Sequence, residues 1–374
     1  MIVPGLSRVM FAPLATLLFL SLNCLAVVSA KIGTLHRRQY FYVGQSYVGQ
    51  GNSSIADGQM YVEHLIPAKV SQPFPLMMIH GHDMTGTNFL NTPDGRTGWA
   101  DYFLSKGYEV YLVDQPARGR SPYQRDIDGI TSTNTTFIVE SRFTAPERFK
   151  LWRQASLHTQ WPGNGSMGDA VFDHFFASTT PSLESDITTA EKVKAAGSKL
   201  LDQIGPVILL VHSQSGQHGW LLGDARPSLI KGLISIEPKG PPFIEAVFSN
   251  TPSRKFGLTD IPVTYSPPIT SAADLGPVAV SNDSFTCFQQ RSPPRKLINL
   301  AQVPVLMVTS EASYHAVYDD CSVQFLQQAG VSVEHARLPD LGIHGNGHMM
   351  FMEKNNLQIA EDVLEKWISK TIHH

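Results

Sequence analysis

Cysteine is scarce: only Cys24, Cys287 and Cys321 occur in 374 residues, too few for a disulfide-framed miniature domain. No His/Cys cluster has the spacing of zinc ligands and no phosphate-binding loop is present, so neither a metal nor another cofactor is expected. An excess of one charge is also missing. Lys and Arg number 29 against 32 Asp and Glu, a formal net charge of −3, which argues against nucleic acid or an anionic membrane surface as a partner. There is no internal repeat and no low-complexity tract. After the first thirty residues no apolar run is long enough to cross a bilayer, so stable membrane insertion is not expected.

The first thirty residues read as a removable leader. Arg8 supplies the basic end, residues 11–28 the apolar core and Val28-Ser-Ala30 a small-residue cleavage site. An uncleaved anchor is the rival reading, but Pro13, Ser21 and Asn23 interrupt the run. The mature chain, residues 31–374, is therefore expected to be secreted. Cleavage removes Cys24 and leaves Cys287 and Cys321, an even pair expected to close a disulfide in an oxidising compartment. Sequons at Asn52, Asn134, Asn164 and Asn282 suit glycosylation there.

The rest of the chain is organised around Val207-Ile-Leu-Leu-Val-His-Ser-Gln-Ser-Gly-Gln-His-Gly-Trp220. Residues 207–211 read as a short buried strand that stops at His212-Ser213, and Ser215-Gly216 opens a helix. A serine at so sharp a turn presents its hydroxyl to substrate and sets the first helical N–H groups beside a developing oxyanion. Val211 and Ser215 stand where glycines are usual in such an elbow. A buried strand followed by a polar turn is the plain alternative, so partners elsewhere must decide.

Upstream, residues 38–48 and 59–65 alternate as strands around a turn-rich 49–58. Residues 74–80 form a continuously apolar strand ending in His80-Gly81-His82-Asp83. An HG step there places the His82 N–H as one oxyanion donor, with the Gln214 N–H as the other. A helix over 99–106 and a strand over 109–114 follow, and Asp114 and Arg118 in the next turn are read as structural. Residues 121–185 are irregular, with helical patches at 145–155 and 168–177. So long a connection reads as a cap-like insertion whose Trp152, Trp161, Phe172, Phe175 and Phe176 serve packing. An amphipathic helix over 187–204 precedes the elbow strand; strands over 232–237, 303–309 and 331–338, a second cap-like insertion at about 241–300 and a final helix over 356–369 follow. Alternating strands and helices predict an α/β fold with a mostly parallel central sheet flanked by helices.

Acyl transfer by serine needs an imidazole within reach and an acid to orient it. Glycine-flanked His348, expected just ahead of a helical segment, suits the base better than its neighbour His344. For the acid, Glu237 at the end of the strand after the elbow competes with Glu311, Asp319 and Asp320 one strand later. Asp319 also reads as the N-cap of a helix running to Gln328.

Seven stretches together resemble one group of α/β-hydrolase serine esterases from bacteria and fungi. They are His80-Gly81, Asn88-Phe-Leu with Thr92-Pro-Asp-Gly-Arg, Gly98-Trp-Ala-Asp-Tyr-Phe, Val113-Asp-Gln-Pro, His212-Ser-Gln, Ile236-Glu-Pro and Gly342-Ile-His-Gly-Asn-Gly-His-Met-Met. The likeness runs from about residue 37 to the C-terminus. It implies the α/β-hydrolase fold and a Ser-Glu-His triad mapping onto Ser213, Glu237 and His348. A bacterial member has adjacent cysteines after its HG step, where this chain has His82-Asp83. The expected function is a secreted serine hydrolase that cleaves small carboxylic esters or lactones through an acyl-enzyme on Ser213. Alternatives on the same frame are amide or C–C cleavage, biosynthetic cyclisation, a peptidase, or an inactive binding module; fold alone does not choose among them.

Overall fold

The computed structural model describes Met1 and residues 33–281 and 285–372. The expected leader (Met1 aside), its Cys24 and the Asn282 sequon lie outside these residues.

Eight strands form the central sheet: β1 (His36–Val43), β2 (Met60–Pro67), β3 (Leu76–Ile79), β4 (Val110–Asp114), β5 (Val207–His212), β6 (Ile230–Ile236), β7 (Val305–Thr309) and β8 (Val333–Arg337). Their spatial order is β1-β2-β4-β3-β5-β6-β7-β8. β2 runs antiparallel to β1 and β4, and every other pair is parallel. This is the expected α/β-hydrolase arrangement.

The largely apolar runs of β3, β4 and β5, the last two closed by Asp114 and His212, are buried along their whole length, as strands covered on both faces must be. Alternation then divides them between two cores. Met78 and Leu210 pack with Trp99, Phe103 and Trp367 on one face, while Met77 and Leu209 pack with Leu200, Trp220 and Phe325 on the other. Helix α1 (Trp99–Ser105) and a C-terminal helical segment serve the first core. A short α2 (Ala170–Ala177) lies in the first insertion; α3 (Asp186–Ile204), α4 (Ser215–Ala225) and α5 (Asp319–Gln328) serve the second core. The Ser185 hydroxyl caps α3 by accepting from the Thr188 N–H, and Gly205 at φ +83° ends it.

Three expectations change in detail. The turn-rich 49–58 contains a strand, Ile55–Asp57, paired antiparallel with Ser46–Val48, because Gly44 at φ +94° breaks the preceding strand and starts a hairpin. The helical patch at 145–155 divides into Pro146–Phe149 and a 3-10 turn Arg153–Leu157, since Lys150 adopts a left-handed conformation between them. No helix directly follows His348: residues 349–355 make turns, and the terminal helix begins at Asn356. Of the insertion's aromatics, Trp152, Trp161, Phe172 and Phe175 are buried and Phe176 packs against the core.

Cys287 and Cys321 are joined, with Cα atoms 5.4 Å apart across 34 residues. The bond ties the hairpin Val278–Ser281/Thr286–Gln289 of the second insertion to the first turn of α5. Replacing both cysteines with serine is expected to lower unfolding free energy by about 3–4 kcal/mol, the chain-entropy value for a loop of this size. Denaturant melts of the two proteins measure it. Among the described residues, no helix is long and apolar enough to cross a membrane.

Candidate active site

Two neighbouring strands end in strained residues. Ser213, just beyond β5, has φ +58°, and Glu237, just beyond β6, has φ +42°. Left-handed backbone at a non-glycine residue costs about 1–3 kcal/mol and persists only where the surroundings impose it. Here the Ser213 N–H donates to Ile236 O at 3.1 Å, the Glu237 N–H to Val308 O at 3.0 Å and the Lys239 N–H to Ser213 O at 2.8 Å. Close packing explains two glycines. A Cβ on Gly216 would lie 2.2 Å from Pro238 Cβ, and one on Gly81 would lie 3.0 Å from Ser213 Cβ. The HG step is therefore pressed against the elbow.

Ser213 is partly exposed, whereas Ser215 is fully buried. The Ser215 hydroxyl accepts from the His212 N–H at 2.8 Å and lies 2.8 Å from Ile79 O as its donor. Of the two serines, only Ser213 is a lining residue of the cleft above the sheet.

Glu237 and His348 meet with Nδ1 and Oε2 2.6 Å apart, both buried. The same carboxylate accepts from the Ser310 N–H at 2.8 Å and the Ser313 hydroxyl at 2.6 Å. Burial pushes the Glu237 carboxyl up, against the opposing pull of His315 and the serine donors. Burial also pushes His348 well below the usual imidazole range, with His315 adding to the shift. A neutral imidazole held by Nδ1 leaves Nε2 as its available base, and the Tyr314 hydroxyl lies 3.4 Å from that nitrogen. His348 packs at a tilt against His212, the residue before Ser213, with ring centroids 4.5 Å apart.

The competing groups are engaged elsewhere. His344 is exposed and pairs through Nδ1 with Glu311 at 3.0 Å. Asp320 pairs with Arg337 at the surface. Asp319 is not the N-cap of α5: Tyr318 holds that position, and no side chain caps the helix. Instead the Asp319 carboxylate is buried, accepting from Thr309 Oγ1 at 2.7 Å and meeting His315 Nδ1 at 2.9 Å. Glu237, His315 and His348 bring potential ligand atoms within 4.8 Å of one another. One nitrogen of each ring is already engaged, His348 Nδ1 by Glu237 and His315 Nδ1 by Asp319.

The loop carrying His348 is fastened by a buried ion network. Glu353 accepts from the Gly347 N–H at 2.9 Å and meets His158 Nε2 at 2.8 Å, while His158 Nδ1 meets Glu147 at 2.9 Å. Burial disfavours the charged ring, but the hydrogen bonds with Glu147 and Glu353 outweigh it and raise His158 from 6.5 to about 9. A folded value above the unfolded one gives stability that is complete below pH 6.5 and is lost as pH rises through about 9. Melting temperature should therefore fall across that window, and His158→Gln should flatten this part of the pH dependence. Thermal melts of both proteins from pH 6 to 10 check this.

The N–H groups of His82 and Gln214 make no hydrogen bond with the described residues. Asp83, at φ +55°, fixes the turn after His82. Its carboxylate accepts from the Ser182 hydroxyl at 2.6 Å and the Asn134 N–H at 2.7 Å, and meets His82 Nδ1 at 3.0 Å. Burial works against ionisation of Asp83, yet these contacts hold it below the usual carboxylate range. Arg118 is buried with Nη1 3.4 Å from Gly81 O, so it does hold this loop as expected, and Asp114 accepts from the Gly86 N–H at 2.8 Å.

A cleft of about 490 Å³ opens over Ser213. Ser132, Arg142 and Leu183 contribute from the first insertion, Glu245 and Phe248 from the second, and Tyr314 from the turn after β7. Phe143 and His315 flank His348, with centroids 5.4 and 4.8 Å away. Sequence reasoning named none of Arg142, Phe143, Ser310, Ser313, Tyr314 or His315. For the last four a signal existed, since they directly follow a parallel strand at its C-terminal end. Arg142 and Phe143 carried none, as they lie inside an irregular insertion. Of the described sequons, Asn52 and Asn164 are exposed and Asn134 is half-buried.

A mostly parallel sheet with a strained serine at the turn from β5 to α4, and an acid–histidine pair beside it, defines an α/β-hydrolase. The chain belongs to the alpha/beta hydrolase family, whose model matches residues 76–362. It is 46% identical over 335 residues to a protein named "Probable secreted lipase phiG" from a fungal species, strain ATCC 74256, covering 88% of this chain and 89% of the relative. A solved structure described as a novel bacterial esterase matches with a TM-score of 0.61 at 22% identity, over 92% of this chain and 98% of that one.

Proposed function

We propose that the protein is a secreted serine hydrolase of carboxylic esters or lactones, with Ser213 as nucleophile, His348 as base and Glu237 as orienting acid. The observation that carries the reading is the buried Glu237–His348 hydrogen bond of 2.6 Å, set beside a serine held at φ +58°. Glu237 keeps the proton on Nδ1, so Nε2 takes the Ser213 proton as Oγ attacks the carbonyl carbon. The N–H groups of Gln214 and His82 receive the tetrahedral oxyanion. His348 then protonates the departing alcohol, and water, activated by the same nitrogen, releases the acid. A lactone follows the same course, its alcohol remaining attached.

The relative named as a secreted lipase supports ester chemistry and export, and the Cys287–Cys321 bond and the exposed sequons at Asn52 and Asn164 suit export. The test is labelling with a fluorophosphonate probe, peptide mapping, and a panel of esters and lactones. An adduct on Ser213 with turnover of the panel is expected; an adduct on Ser215, or none, sinks the assignment.

A further inference from the structure

The cleft over Ser213 holds an unmatched positive charge. Arg142 lies in a π-helical turn, Glu140–Thr144, of the first insertion, a backbone irregularity frequent at functional sites. Its guanidinium carbon sits 3.8 Å from the centroid of the Phe248 ring. Phe248 in turn packs on Tyr314 at 5.1 Å, and the residue after Arg142, Phe143, stacks on His348 at 5.4 Å. The charge thus stands on the aromatic wall beside the reacting imidazole.

The other charges around the cleft have their own partners. Lys239 pairs with Asp186, Glu245 with Arg254 and His82 with Asp83. Glu184 is exposed. Arg142 makes neither an ion pair nor a hydrogen bond with any described residue, although burial pulls its pKa down. A partly desolvated guanidinium without a counter-charge is unfavourable unless something else supplies one. Its planar fork of donors matches a carboxylate, which it can bind through two parallel hydrogen bonds.

Resting on the hydrolase reading above, we infer that Arg142 is a substrate-binding residue and that the preferred esters or lactones carry a carboxylate besides the bond that is cleaved. The scissile carbonyl sits over Ser213 while the substrate's own anion docks on Arg142, with Phe248 holding the guanidinium from behind. Packing on Phe248 is the competing role, and it predicts a different pattern.

The test compares matched esters that differ only in charge. Methyl hydrogen glutarate is set against methyl pentanoate for an anion on the acyl side, and 3-acetoxypropanoate against propyl acetate for one on the alcohol side. In one series the anionic member should lead in kcat/KM by about tenfold or more, the factor that one charge-assisted hydrogen bond supplies. Arg142→Gln should bring the anionic member down to the kcat/KM of its neutral partner in the same variant, while Arg142→Lys should restore part of the lead. No anionic advantage in either series, an advantage that survives Arg142→Gln, or equal loss for both members would overturn the proposal. Circular dichroism confirms that each variant is folded.

Should Ser213 resist the fluorophosphonate and none of the esters turn over, the hydrolase reading fails. Calorimetric binding of methyl hydrogen glutarate and 3-acetoxypropanoate then reads Arg142 directly. Binding of one of them that is lost in Arg142→Gln keeps the anion site; identical binding by both proteins removes it.

Discussion

Ser213→Ala is expected to lower kcat for ester hydrolysis by about five to six orders of magnitude, the scale seen when a serine nucleophile is removed. The fold should be untouched. The Ser213 side chain contributes to the cleft rather than the core, and alanine bears the same left-handed strain at φ +58°. Ser215→Ala should behave in the opposite way. It strips the hydroxyl that bonds the His212 N–H and Ile79 O, so stability falls by about 1–3 kcal/mol while probe labelling persists. Steady-state rates and denaturant melts on the two variants separate the roles. A Ser213→Ala protein with near-normal turnover would end the elbow assignment.

The second large effect belongs to Glu237→Gln, with an expected fall in kcat of about 10⁴-fold. An amide cannot stabilise the imidazolium, and its NH₂ would face donors where the carboxylate now accepts from the Ser310 N–H, the Ser313 hydroxyl and His348. KM should change little, because Glu237 is buried beneath the cleft and is not among its lining residues. Asp319→Asn is the control. Its burial against Thr309 and His315 makes the loss one of stability, about 1.5–3 kcal/mol for a hydrogen bond to a charged group. A folded, inactive Asp319→Asn beside an active Glu237→Gln would reverse the assignment of the acid.

The strands buried on both faces were legible because their aliphatic runs have no other use. β3, β5 and β7 stand within a residue or two of the apolar stretches that mark them. Ser213, Glu237 and His348 stood out as candidates for a related reason, the first two lying just beyond a strand and the third just after a glycine. What could not be read was anything decided by contacts across the sheet. Asp319 looks like a helix cap in sequence, yet its carboxylate turns inward to Thr309 and His315. His158, in an irregular insertion, gave no hint that it would bridge Glu147 and Glu353 and fasten the loop of His348. Local pattern reports which face of an element is buried; it does not report which distant polar group waits there.

Glu237 lies just beyond β6, directly beside the strand that Ser213 follows, and not on the turn after β7. That turn is thereby divided. Ser310 and Ser313 remain committed to the carboxylate, while Tyr314 and its neighbours face the cleft. In evolutionary terms the proposed reaction and the choice of reactant would then rest on partly separate stretches of the chain. On the proposed triad, a lineage would change its reactant most freely at Glu245 and Phe248, which line the cleft, because Tyr314 and His315 also touch His348.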